Sequence, residues 1–114
     1  MNILVTGGSS GLGKSIVEKL CSDKKNHIYF TYNNSIENSE NICSKYPNAT
    51  SIKCDFTNDS ELNEFIENLK NLNINILINN FLSIGINEFC RESIVIIWEA
   101  FIFFDANFII YRIT

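Results

Sequence analysis

The sequence predicts an α/β fold, a partial doubly wound parallel sheet of about four strands in the order 3-2-1-4 with helices on both faces. Three observations carry this reading. A glycine-rich stretch, TGGSSGLGKS from Thr6 to Ser15, separates an apolar run from an amphipathic one. Short apolar runs recur at His27–Tyr32, Thr50–Cys54 and Asn75–Asn79. Segments with helical spacing lie between them, and a strand that reaches its parallel neighbour through a helix does so right-handedly in nearly all cases.

Each element follows from its residues. Asn2–Thr6 is a short apolar run closed by glycine, the pattern of a strand buried on both faces. A helix is expected from about Gly11 to Ser22, because Leu12, Ile16 and Leu20 recur every four residues with Val17 beside them. His27–Tyr32 (HIYFTY) is rich in aromatic and β-branched residues and predicts a second strand. Asn33 to Ser35 turns the chain, and Ile36 to Lys45 is a helix that stops before Pro47. Thr50–Cys54 is the third strand. In the helix that follows, Asn58 three residues before Glu61 is a capping signature, and Leu62, Phe65, Ile66 and Leu69 form one apolar face. Asn75–Asn79 (NILIN) is the fourth strand, and a loop containing Gly85 leads to the C-terminal segment.

Composition bounds the function. With 114 residues, 46% hydrophobic and 19% charged, the chain has room for one domain and one packed core, so residues 1–114 are read as a single domain. Its net charge is −4, and lysine and arginine are scattered singly; no basic stripe exists to neutralise a nucleic acid. Cys21, Cys43, Cys54 and Cys90 are far apart and accompanied by one histidine, His27, so neither a metal site nor a disulfide framework is expected. The first strand-like run begins at Asn2 without a basic n-region, which makes the cytoplasm the expected compartment.

Residues 93–114, SIVIIWEAFIFFDANFIIYRIT, stand apart from the βαβαβαβ core of residues 1–92. The run is long enough to suggest a membrane span, but Glu99 and Asp105 fall inside it, each costing roughly 2.5–3.5 kcal/mol near a bilayer centre. The preferred reading is an apolar helical tail packed against the sheet or a second subunit. So apolar a strip, with the open edge of the fourth strand, favours self-association.

The chemistry lies in the glycines. Gly7, Gly11 and Gly13 stand in the pattern T-G-x-x-x-G-x-G directly after a strand. In such a unit the first glycine permits a tight turn, the next admits a pyrophosphate to the backbone, and the last allows the helix to pack closely. The helix N-terminus meets the phosphates with free N–H groups and the positive end of its dipole.

On this motif the sequence resembles the short-chain dehydrogenase/reductase family, whose fold is Rossmann-like and whose cofactor loop has the same pattern as Thr6 to Gly13. Further matches are Asp55 in CDFT, where the family places an aspartate against adenine, and Asn79 and Asn80 in INNFL, where the family has N-N-A-G and this chain has Phe81 and Leu82. Trp98 followed by Asn107 is similar to a family pairing, with a somewhat longer gap. The resemblance implies an NAD(P)-binding site built from Thr6, Gly7, Ser9, Ser10, Gly11, Leu12, Gly13, Thr31, Tyr32, Asn33, Asp55, Phe56, Asn79 and Asn80.

It also implies catalytic residues that this sequence lacks. The family uses a serine and a Y-x-x-x-K pair, whereas none of Tyr29, Tyr32, Tyr46 or Tyr111 is followed four residues later by lysine. An unassisted phenol, with a pKa of about 10, is a poor base at neutral pH. Asn107 alone matches a catalytic position, as a remnant of the family's proton relay. The expectation is therefore the N-terminal, truncated NAD(P)-binding part of an oxidoreductase, inactive alone; the alternative is a non-catalytic nucleotide- or partner-binding half-domain. At the end of the second strand FTYNNS carries no acid that would repel the extra phosphate of NADP, which leans the cofactor toward NADP, with Thr31, Asn33, Asn34 and Ser35 as donors.

Overall fold

The computed structural model describes residues 1–80, together with the backbone of residues 109–112. The elements run β1 (Asn2–Thr6), α1 (Gly11–Cys21), β2 (His27–Tyr32), α2 (Ile36–Lys45), β3 (Ala49–Lys53), α3 (Asp59–Leu69), β4 (Ile76–Asn79) and β5 (Ile109–Arg112). They form one parallel sheet in the order β3-β2-β1-β4-β5, which contains the predicted 3-2-1-4 arrangement.

Strand β1 is central because both its faces are apolar. Ile3 and Val5 join Ile28, Phe30, Val17, Cys21 and Ile42 in a core between the sheet and helices α1 and α2. Leu4, between them in sequence, points the other way into a second core with Leu77, Phe56, Leu62, Phe65 and Leu69 of α3. Alternation along one strand thus feeds two cores, as a sheet covered on both faces requires. Val5 pairs with Phe30 on one side and Ile78 on the other, so the C-terminal ends of β1, β2 and β4 come out together.

Polar side chains tie down the opposite end. Asn48 Nδ2 donates to the carbonyls of Cys21 and Asn26, at 3.1 and 3.0 Å, closing the turn between α1 and β2. Asn2 Nδ2 donates to the Leu72 carbonyl at 2.8 Å, and Asn75 Oδ1 accepts from Asn2 N at 2.8 Å.

The structure departs from the sequence reading at strand ends and in the C-terminal segment; β3 stops at Lys53 rather than Cys54, and β4 starts at Ile76 rather than Asn75. β3 starts at Ala49, one residue before the expected Thr50, because Ala49 is the register partner of Ile28. The C-terminal segment, expected as a helical tail, carries a strand at Ile109–Arg112 that pairs in parallel with β4, Ile76 opposite Ile109. A largely apolar run has no clear period by which to separate a buried strand from a buried helix, and the free edge of β4 offers a strand unpaired backbone groups. Trp98, Asn107 and the rest of the expected tail lie outside the described residues. Among the described residues no helix is long and apolar enough to cross a membrane.

Candidate dinucleotide site

The site is assembled where β1, β2 and β3 end. From β1 the chain enters a tight loop in which Gly7 has φ +65° and Gly11 φ +55°, left-handed conformations that a side chain would strain. The end of β2 holds this loop. Gly7 N donates to Thr31 Oγ1 at 2.9 Å, and Gly8 N donates to the Thr31 carbonyl at 3.0 Å. Thr31 is 2% exposed, so its hydroxyl braces the loop from beneath. Accepting from Gly7 N leaves the hydroxyl proton available, so this bond is compatible with the expected part of Thr31 as a phosphate donor beside the exposed side chains of Asn33 and Asn34.

The end of β4 braces the loop from the other side. Thr6 Oγ1 donates to Asn79 Oδ1 at 2.8 Å and accepts from Asn80 N at 3.0 Å. Asn80 Nδ2 in turn donates to the Gly7 carbonyl at 3.3 Å. Gly13, in the first turn of α1, lies directly against this bridge: a Cβ there would fall on the Gly7 carbonyl oxygen and Asn80 Nδ2. The last glycine of the motif therefore allows the helix to pack on its own loop and on Asn80. Packing of helix on strand is left to Gly8, which the motif treats as any residue; a Cβ there would meet Val17 Cγ2 at 2.8 Å and the Phe30 side chain. The signal for Gly8 was the doubled glycine straight after β1.

Helix α1 begins with its amides unserved. Its N-cap residue, Ser10, makes no side-chain capping bond, and no acid sits in its first turn. Helix α3 of the same length begins quite differently: Asn58 Oδ1 accepts from Glu61 N at 3.1 Å, and Asp59 and Glu61 lie in the first turn. The first N–H groups of any helix lack partners within it and carry a partial positive charge. In α3 the protein supplies the counterpart, whereas in α1 it leaves the place for an anion.

Beside this terminus opens a cleft of about 280 Å³. Of the predicted site residues, Gly7, Ser9, Ser10, Thr31, Tyr32, Asn33, Asp55 and Phe56 line it, joined by Asn34, Ser35, Cys54 and Thr57. Thr6, Gly13, Asn79 and Asn80 sit behind the lining as supports, and Leu12 lies on α1 with 55% of its surface exposed. Asn107, the one predicted catalytic residue, is outside the described residues.

The far wall is acidic and apolar. Asp55 Oδ1 accepts from Thr57 Oγ1 at 2.6 Å and from Thr57 N at 2.9 Å, and these bonds, the hydroxyl's first, hold its carboxyl below the usual range. The fixed carboxylate can accept from an exocyclic amine. Phe56 packs behind it on Phe65, ring centroids 5.7 Å apart. Burial pushes the Cys54 thiol up to about 12, so it is a neutral wall atom. Cys54 and Thr57 were not identified from sequence, since a lone cysteine and a threonine beside an aspartate carry no motif.

These features suit an adenosine with a pyrophosphate. The loop leaves a cradle at Gly11, where a Cβ would meet nothing within 4 Å. Asn80 Oδ1 is buried with no partner among the described residues, an acceptor still open at the base of the cradle.

Comparison with known proteins agrees. The family model described as short chain dehydrogenase matches residues 1–101. Among solved structures, a short-chain dehydrogenase/reductase from Saccharomyces cerevisiae is 25% identical with a TM-score of 0.79, over 99% of this chain and 53% of that one. Alternative dihydrofolate reductase 1 from Brucella suis, solved in complex with NADP, is 22% identical with a TM-score of 0.78, over 97% of this chain and 55% of that one. A Serratia marcescens short-chain dehydrogenase/reductase double mutant is 24% identical with a TM-score of 0.70, over 90% and 50%. The chain thus spans about half the length of each of these structures. A search of curated protein sequences finds no significant match. With the family model covering residues 1–101 and the parallel sheet, glycine loop and cleft in place, the chain belongs to the short-chain dehydrogenase/reductase family.

Proposed function

We propose that this chain is the NAD(P)-binding part of an oxidoreductase of the short-chain type. The observation that carries the reading is the uncapped, acid-free N-terminus of α1 above a glycine loop braced from β2 and β4. There the amides of Gly11 to Gly13 take the pyrophosphate, the Asp55 carboxylate with the Phe56 backbone takes the adenine, and Tyr32 and Asn33 meet the adenosine ribose. The absence of an acid at the end of β2 admits NADP, and the Brucella suis relative was solved with NADP.

The dinucleotide supplies a hydride donor or acceptor; the residues of this chain bind and orient it. No tyrosine of the sequence is followed four residues on by lysine, so binding without turnover is the expected behaviour of the chain alone. Isothermal titration with NADPH and NADH tests the first point, and dinucleotide absorbance in the presence of carbonyl compounds tests the second. Saturable one-to-one binding without oxidation supports the reading. No binding of either dinucleotide removes it.

A further inference from the structure

Strand β3 lies at one edge of the sheet and pairs with β2 alone. Ile28 N donates to the Asn48 carbonyl at 2.8 Å, and Cys54 N donates to the Tyr32 carbonyl at 2.9 Å. Alternate residues of a parallel strand bond to the same neighbour, so these two bonds fix the parity: Thr50 and Ile52 serve β2, while Ala49, Ser51 and Lys53 turn their backbone groups outward. Ala49 N is taken by the Tyr46 carbonyl at 3.0 Å. The N–H and carbonyl groups of Ser51 and Lys53 have no partner among the described residues.

Beside this edge, between β3 and α3, lies a cleft of about 110 Å³ lined by Ile52, Phe65, Lys53, Glu61, Glu64 and Asn68. Its charge is one-sided. Helix α3 carries Asp59, Glu61, Glu64 and Glu67 and no lysine or arginine. A lysine on an edge strand ordinarily guards it against pairing, but Lys53 is bound by Glu61 at 2.8 Å, and Lys70 by Glu67 at 2.7 Å. Glu64 is exposed and has no ion pair among the described residues.

We infer that the outer edge of β3 and the acidic helix α3 receive an extended peptide bearing lysine or arginine, which adds a strand to the sheet. The peptide backbone meets Ser51 and Lys53. Side chains of a strand alternate in direction, so every second one lies on the α3 side. A lysine there lays its methylene stem along Ile52 and Phe65 and brings its ammonium to Glu64. A second copy of the chain suits the edge less well. A two-fold axis would pair the two β3 strands antiparallel and put both α3 helices on the same side of the joined sheet, acid beside acid.

The test is fluorescence anisotropy with two short, capped, labelled peptides, one alternating valine with lysine and the other valine with glutamate, each titrated with the full chain. The lysine peptide binds about tenfold or more tighter than its counterpart, and its affinity falls as salt rises from about 0.01 M to about 1 M, where the screening length shrinks from about 30 to about 3 Å. Attraction to any acidic surface would behave alike, so two substitutions locate the site, with folding followed by circular dichroism. Ser51→Pro removes an outward N–H and leaves the bonds to β2 in place, and Glu64→Lys reverses the unpaired carboxylate. Each weakens the lysine peptide about tenfold or more. Glu64→Lys, at an exposed helix position, keeps the test standing if proline disturbs the strand. Equal binding of the two peptides, binding of neither, or indifference to either substitution in a folded variant overturns the inference. Sedimentation of the chain alone closes the remaining route: a dimer that Ser51→Pro dissociates assigns the edge to a second copy and overturns it as well.

Discussion

Replacing Gly13 with alanine adds a single methyl group where the structure has no room. The new Cβ falls on the Gly7 carbonyl oxygen and on Asn80 Nδ2, so either α1 retreats from the loop or the loop moves off β4. Overpacking of this kind costs about 1–3 kcal/mol of stability. The cost to binding is separate. Gly7 and Gly8 are fixed by Thr31, at 2.9 and 3.0 Å, and Asn80 holds the Gly7 carbonyl at 3.3 Å, so a displaced α1 shifts its amides relative to the cradle. Loss of one hydrogen bond to a charged group is worth about 1.5–3 kcal/mol, which corresponds to roughly a ten- to hundredfold weaker Kd. The assay is calorimetric titration with NADPH, with a thermal melt of the same sample. Asn58→Ala serves as control, because it removes the cap of α3 at about 1 kcal/mol and its side chain does not line the cleft. Gly13→Ala that melts lower but keeps the parent affinity would refute the argument, since the loop would then move without consequence for the phosphates.

Three further outcomes are expected. Thr6→Val takes from the buried Asn80 N–H its acceptor at 3.0 Å and from Asn79 Oδ1 a donor at 2.8 Å; urea denaturation should give a loss of about 2–4 kcal/mol. Thr57→Val removes the hydroxyl bond that chiefly depresses the Asp55 carboxyl, so NMR titration should find its pKa raised toward the ordinary value of 3.8. Because the folded carboxyl titrates below the unfolded one, Asp55 adds stability above the unfolded pKa and loses it as pH falls through the folded value; acid unfolding of Thr57→Val should begin with less to lose there. Burial pushes the thiols of Cys21 and Cys54 up to about 11 and about 12, so at pH 8 a thiol reagent should modify both only as fast as the chain opens.

Much of this was legible in the residues because the central strands and the helices carry strong local patterns. β1, β2 and α2 fall where the apolar runs and Pro47 put them, and Asn58 caps α3 as its spacing to Glu61 predicted. The capping signature formed only in part, since Glu61 gives its own carboxylate to Lys53 at 2.8 Å, a partner eight residues away on β3. What escaped reading depended on contacts distant in sequence. The bracing of the loop by Thr31 and Asn80 joins residues 24 and 73 positions from Gly7, and no spacing rule announces it. The steric role of Gly8 rests on Phe30 and Val17, which only the folded sheet brings there. β5 was hidden because a largely apolar segment carries no clear period, and its pairing along the open edge of β4 is a contact distant in sequence.

The most direct test follows the backbone amides of the isotope-labelled chain by NMR as NADPH is added. The account predicts the largest shifts at Gly7 to Gly13 and a second set at Cys54 to Thr57, with Phe65 to Leu69 of α3 unmoved. Shifts that spare Gly11, Leu12 and Gly13 while appearing elsewhere would contradict the placement of the pyrophosphate on α1, and with it the central claim.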